Sequence, residues 1–126
     1  MTMSIQVNLD EGLRQAWVTV LLEPETTTVA ETVLRLTGQR PLLGSWDWII
    51  DTRNPHAQAT PEEIDSIAAA FNAVTRKQSY TIFISHDPAT YGRCALLGRK
   101  FLHRRHLVAR SVAEARSLLP QGMSSV

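Results

Sequence analysis

Apolar and polar residues alternate at the start of the chain. From Ser4 to Leu9, Ile5, Val7 and Leu9 alternate with polar neighbours, the period of a half-buried strand. Asp10-Glu11-Gly12 supplies turn chemistry. Ala16 to Leu22 is rich in β-branched and aromatic residues and predicts a second strand, and the short link makes the two an antiparallel hairpin.

The period then changes to that of helices. Thr28 to Gly38 reads as a helix, with Thr28 and Glu31 as a capping box, Val29, Val33 and Leu36 on one face, and Gly38 as its left-handed stop. Ser45 to Asp51 predicts a third strand with Trp46, Trp48 and Ile50 on one side. Thr60-Pro61-Glu62-Glu63 opens a second helix with a cap, a proline at the first helical position and a closing glutamate. Ile64, Ile67, Ala68, Phe71 and Val74 form its apolar stripe. Tyr80 to Ser85 is a fourth strand. Asp87-Pro88 starts a third helix with Tyr91, Cys94, Ala95, Gly98 and Phe101 on one face. Leu107 to Ala109 is a short fifth strand. Ser111 and Glu114 cap a last helix with Val112, Ala115 and Leu119 inward.

The order β-β-α-β-α-β-α-β-α implies an α/β fold: a mostly parallel mixed sheet of about five strands with about four helices, joined by right-handed crossovers. The first strand is an antiparallel addition, and strand order does not follow from the sequence. A length of 126 residues suits one domain over residues 1–120, with a loose tail at 121–126. Apolar residues make up 44% and charged residues 20%, the composition of a globular chain.

The net charge of +1 conceals an asymmetry. Up to Asp65 there are four basic and ten acidic residues, a net of −6; from Ser66 there are nine basic and two acidic, a net of +7. This reads as a solvated surface whose halves attract each other. No aromatic stacking platform accompanies the basic residues, so nucleic acid is not an expected partner. The start lacks the pattern of a signal peptide, and no apolar run approaches the roughly 20 residues of a membrane helix, so the expected location is the cytoplasm, without stable membrane insertion. The single cysteine, Cys94, excludes an internal disulfide and a multi-cysteine zinc site.

The whole pattern from Ile5 to Leu119 resembles the STAS-like superfamily, the fold of anti-sigma-factor antagonists, and in particular its SpoIIAA-like branch of small stand-alone bacterial proteins. The resemblance rests on element order, on Trp48-Ile49-Ile50-Asp51-Thr52-Arg53 as a strand ending in aspartate, and on His106-Leu107-Val108-Ala109-Arg110-Ser111-Val112-Ala113-Glu114-Ala115 as a short strand before a capped helix. It implies a regulatory module of bacterial signalling that binds a protein partner through the helix starting at Thr60 and the loop before it. Phosphoswitching members carry a serine in an Asp-Ser-Ser-Gly-like setting at this helix start. Here the stretch is Ala57-Gln58-Ala59-Thr60-Pro61-Glu62-Glu63, where Thr60 is the nearby hydroxyl and the phosphorylation candidate. Thr60 is better explained as a cap, and Glu62 and Glu63 would repel a phosphate.

Ligands of open α/β sheets collect beyond the carboxyl ends of the strands. Asp51, Arg53 and His56 follow the third strand, and Ser85, His86 and Asp87 follow the fourth. These are the partner- or ligand-binding candidates, together with Thr60. Ser85-His86-Asp87 spells a hydrolase triad, but adjacent residues do not aim their side chains in relay. Asp51 reads as an acceptor of loop amides and Asp87 as a cap. Cys94 reads as a buried, inert thiol. His103-Arg104-Arg105-His106 sets guanidinium groups between its imidazoles, a poor metal site, and reads as an exposed helix end. Arg93, Arg99, Lys100, Arg104, Arg105 and Arg110 make an acid-free basic run suited to an acidic partner. No glycine-rich phosphate loop follows a strand.

The expected function is non-enzymatic binding, with no cofactor, no metal and no catalytic residues. A protein partner is the first reading and a small apolar or lipid-like ligand the second. A hydrolase-type enzyme using the Asp51 and His86 region is the distant third. Short strands and exposed tryptophans would suit a homodimer.

Overall fold

The structure is a computed structural model that describes residues 5–20, 29–53, 61–72, 79–100 and 104–119. β1 (Ile5–Asp10) and β2 (Gln15–Val20) form the expected antiparallel hairpin, pairing Ile5 with Val20 and Asp10 with Gln15. Asp10 Oδ1 accepts the Leu13 amide at 2.9 Å to fold the turn, and Arg14 completes it with φ 55°. β3 (Asp47–Asp51), β4 (Ser79–Ile84) and β5 (Arg104–Ala109) then add in parallel, giving one five-stranded mixed sheet in the order β1-β2-β3-β4-β5.

The described residues also form four helices: α1 (Val29–Gln39), α2 (Pro61–Asn72), α3 (Pro88–Lys100) and α4 (Val112–Leu118). Each parallel step moves one strand further in the same direction. Right-handed crossovers taken in one direction return every connecting helix to the same face. Val33 of α1, Ile64, Ile67 and Ala68 of α2 and Cys94 of α3 accordingly share one core with Val18, Trp48, Ile50 and Phe83 of the sheet. The opposite face carries Ile49, Ile82, Ile84 and Ala109, which pack with Ala115 and Leu119 at the end of the chain's described part. Among the described residues no helix is long and apolar enough to cross a membrane.

The capping chemistry at the end of the chain follows the sequence reading. The Ser111 hydroxyl accepts the Glu114 amide at 3.1 Å, and the Glu114 carboxylate accepts the Arg110 amide at 2.8 Å. Thr28, Val74, Phe101 and the tail at 121–126 lie outside the described residues, as do the side chains of Val29 and Phe71 and the surroundings of Gly98.

Several expectations are corrected. Gly38 does not stop α1: the helix runs through it to Gln39, and no described glycine has positive φ. The stop comes from Pro41, which disfavours helical geometry in the residue before it and starts a 3-10 turn over Pro41–Ser45. That turn was not foreseen. α3 is rotated by about one residue from its expected setting, so Thr90 and Cys94 face inward while Tyr91 and Ala95 are exposed. The tryptophans are not exposed. Trp46 and Trp48 are buried, Trp48 donates to the Leu43 carbonyl at 2.7 Å, and half-buried Trp17 lies 4.9 Å under the Arg116 guanidinium. The tryptophan argument for a homodimer therefore falls.

The largest correction concerns β5. Residues Arg104 to His106 are not a helix end but the first half of a strand, and Arg104 and His106 point into the core. Arg104 is 2% exposed. It donates to the carbonyls of Tyr80 (2.7 Å), Gly44 (2.6 Å) and Trp46 (2.9 Å) and to the Thr81 hydroxyl (2.9 Å). A guanidinium with five donors in a fixed fork can satisfy several acceptors at once, which is why it is tolerated there.

Candidate functional site

The parallel pairing continues beyond the strand ends. The Thr52 amide and hydroxyl both donate to the Ile84 carbonyl, at 2.9 and 3.0 Å, and the Ser85 amide donates to the Ala109 carbonyl at 2.9 Å. The segments leaving β3, β4 and β5 are thereby held side by side. This brings Asp51, Arg53, Ser85, His86 and Arg110 to one edge of the sheet, where the sequence placed the first four.

Asp51 and Arg53 form a closed unit. Arg53 Nη2 lies 2.7 Å from Asp51 Oδ2, Arg53 Nε donates to Oδ1 at 3.0 Å, and the Arg53 amide donates to the same oxygen at 3.1 Å. Partial burial would raise the Asp51 carboxyl pKa, but the Arg53 hydrogen bonds and charge, aided by the His86 ring, hold it below its ordinary value. Asp51 is therefore an ionised, paired carboxylate with little capacity to take a proton at neutral pH.

Ser85 and Asp87 serve the backbone. Ser85 is buried; its hydroxyl meets that of Thr90 at 3.3 Å and accepts the Asp87 amide at 3.0 Å. Asp87 Oδ1 accepts the Ala89 amide at 3.0 Å at the start of α3, the capping role expected of it. The triad spelling has no geometric counterpart, because each of these side chains turns to a different partner.

What the edge presents to solvent is a cleft of about 620 Å³ lined by His86, Pro88, Tyr91 and Arg110. His86 Nε2 lies 3.1 Å from the Arg110 carbonyl. A carbonyl only accepts, so this contact is made by a ring carrying its proton on Nε2. The Tyr91 hydroxyl first, and the nearby Glu114 carboxylate after it, raise the Arg110 pKa above its ordinary value. Tyr91, expected on the inward face of α3, is exposed. Its exposure follows from the setting of α3 that turns Thr90 and Cys94 inward, for which the sequence carries no signal.

The other candidates scatter. His56 and Thr60 lie outside the described residues, as do the side chains of Arg99 and Lys100. Arg93 pairs with Asp65 of α2 at 3.6 Å, one case of the basic half of the chain meeting the acidic half. Arg105 is exposed, alternating along β5 with the buried Arg104 and His106. Burial thus removes Arg104 from the basic run altogether. Burial pushes the Cys94 thiol up to about 12. Among the described residues no group of three or more histidine, cysteine, aspartate or glutamate side chains is arranged to hold a metal ion.

Comparison with known proteins finds no family model, no curated protein and no solved structure that matches the chain.

Proposed function

We propose that this chain is a non-enzymatic, STAS-like binding module of bacterial signalling, acting in the cytoplasm by contact with a protein partner at the carboxyl edge of its sheet. The observation that carries this reading is a division of labour at that edge. The side chains with reactive potential are committed to the scaffold: Asp51 to Arg53, Ser85 to Thr90 and the Asp87 amide, and His86 Nε2 to the Arg110 carbonyl. The side chains left to line the cleft include proline, tyrosine and arginine, and the last two belong to the residue types that dominate protein-protein hot spots. The element order supports the STAS-like assignment.

Site-specific photo-crosslinking tests this. A benzoylphenylalanine at the exposed Ala89 position, beside the cleft, is expected to capture a protein in bacterial cells, while the same probe at exposed Leu96 on α3 captures none. A lipid-like molecule retained in native mass spectrometry, without a protein adduct at Ala89, overturns the reading in favour of a small apolar ligand.

A further inference from the structure

Arg110 stands out among the charged groups round the cleft. It is exposed, and none of the ion pairs among the described residues uses it. Each nearby carboxylate accepts hydrogen bonds from other groups, although the Glu114 charge still reaches the guanidinium. Asp51 is held by Arg53, Asp87 by the Ala89 amide, and Glu114 by the backbone amide of Arg110 itself. The described lining of the cleft therefore holds the Arg110 guanidinium and no acidic side chain. Pro88 and the Tyr91 ring supply apolar wall beside it.

We propose that this cleft recognises an acidic segment of the partner protein, with a partner carboxylate on the Arg110 guanidinium and an adjoining apolar side chain against Pro88 and Tyr91. The inference rests on the protein-docking reading above and names the chemistry of the docked segment. Charge complementarity selects an acid over a base, because a lysine or arginine here would meet Arg110 directly. The planar fork of arginine suits bidentate pairing with a carboxylate. A cleft of about 620 Å³ has room for a side chain and its neighbour, not for a folded element.

The test uses a fluorescein-labelled peptide with a central phenylalanine flanked by glutamates, and its glutamine-for-glutamate analogue. Binding is followed by anisotropy and located by amide chemical shifts of the intact protein. The acidic peptide is expected to bind at least about tenfold more tightly than its analogue and to shift the Ala89 and Tyr91 amides. Its binding should weaken with added salt. Arg110→Gln should remove that advantage, Arg110→Lys should restore part of it, and both variants should keep the native circular dichroism because the side chain is exposed.

Equal binding of both peptides at the cleft, unchanged by Arg110→Gln, overturns the acidic assignment and leaves the docking reading standing. So does failure of both peptides where the Ala89 probe still captures a protein. Failure of both peptides and of the probe overturns both proposals. Free phenylacetate binding as tightly as the acidic peptide would assign the site to a small acid instead.

Discussion

Arg104 shows how far a single residue can sit from its usual role. Burial pulls its pKa down to about 10, against the favourable charge of Asp47, so the guanidinium remains charged at neutral pH inside the protein. Its donors are the partners of the Gly44, Trp46 and Tyr80 carbonyls. Removing them strands buried acceptors as well as opening a cavity. Arg104→Ala is expected to lower unfolding free energy by about 3 kcal/mol or more in urea titrations. Arg104→Met, which keeps most of the volume, should lose nearly as much; a loss below about 1 kcal/mol would show that the carbonyl contacts contribute little.

His106, two residues along the same strand face, carries the complementary prediction. Burial first, and the neighbouring Arg104 charge second, push its pKa down to about 4 from an ordinary value of 6.5. The unfolded chain thus binds a proton that the folded chain refuses. Stability falls as pH drops below 6.5 and stops responding to this group below about 4, with a total of about 3 kcal/mol. Urea midpoints of the parent protein should decline across that window more steeply than those of His106→Phe; parallel declines would refute the assignment. Neither residue was legible as core in the sequence. A strand that begins Arg-Arg-His has the composition of a surface, and only the guanidinium's particular set of carbonyl acceptors makes its burial tolerable.

At the scale of elements, the signals that depend on local chemistry read through well. Ser111 and Glu114 announced the cap that the structure contains, and Asp87-Pro88 announced the start of α3. Boundaries governed by tertiary contacts did not. The inward face of α3 is set by Thr90 meeting Ser85, a contact between a helix and the strand end before it, and no periodicity count contains that information. The 3-10 turn at Pro41–Ser45 was hidden in a segment where buried Leu43 and exposed Leu42 look alike. Of the candidate site, the Asp51, Arg53 and His86 cluster was visible because strand ends are visible; Tyr91 was lost with the helix phase.

The glycines of the helices bear on the same scale. A Cβ added at Gly92 of α3 would meet no atom within 4 Å, and its backbone has no positive φ. Nothing in the packing requires glycine there. Gly92→Ala is expected to stabilise the protein by about 1 kcal/mol through helix propensity, read as a higher thermal midpoint. A fall in the midpoint would reveal a close approach that the structure does not contain.

At the scale of the molecule, the two cores are unequal. The larger one gathers three helices over the sheet, and Cys94 lies within it, 3% exposed. With its thiol pushed to about 12 and its side chain buried, labelling by a thiol reagent at pH 8 should be far slower than for a free thiol and should accelerate with urea in step with global unfolding. Prompt labelling without denaturant would mean that α3 opens on its own.

Winding the strands in sequence gives the chain a spiral in which each turn leans mainly on the turn before it. Such a coil would be free to fray from its last turn inward, one strand at a time. The guanidinium of β5 forbids this simple unzipping. By reaching past β4 to the segment that precedes β3, it stitches the last turn to the middle of the spiral, across 60 positions of chain from Gly44. To lose the final strand is therefore to undo contacts at the centre as well.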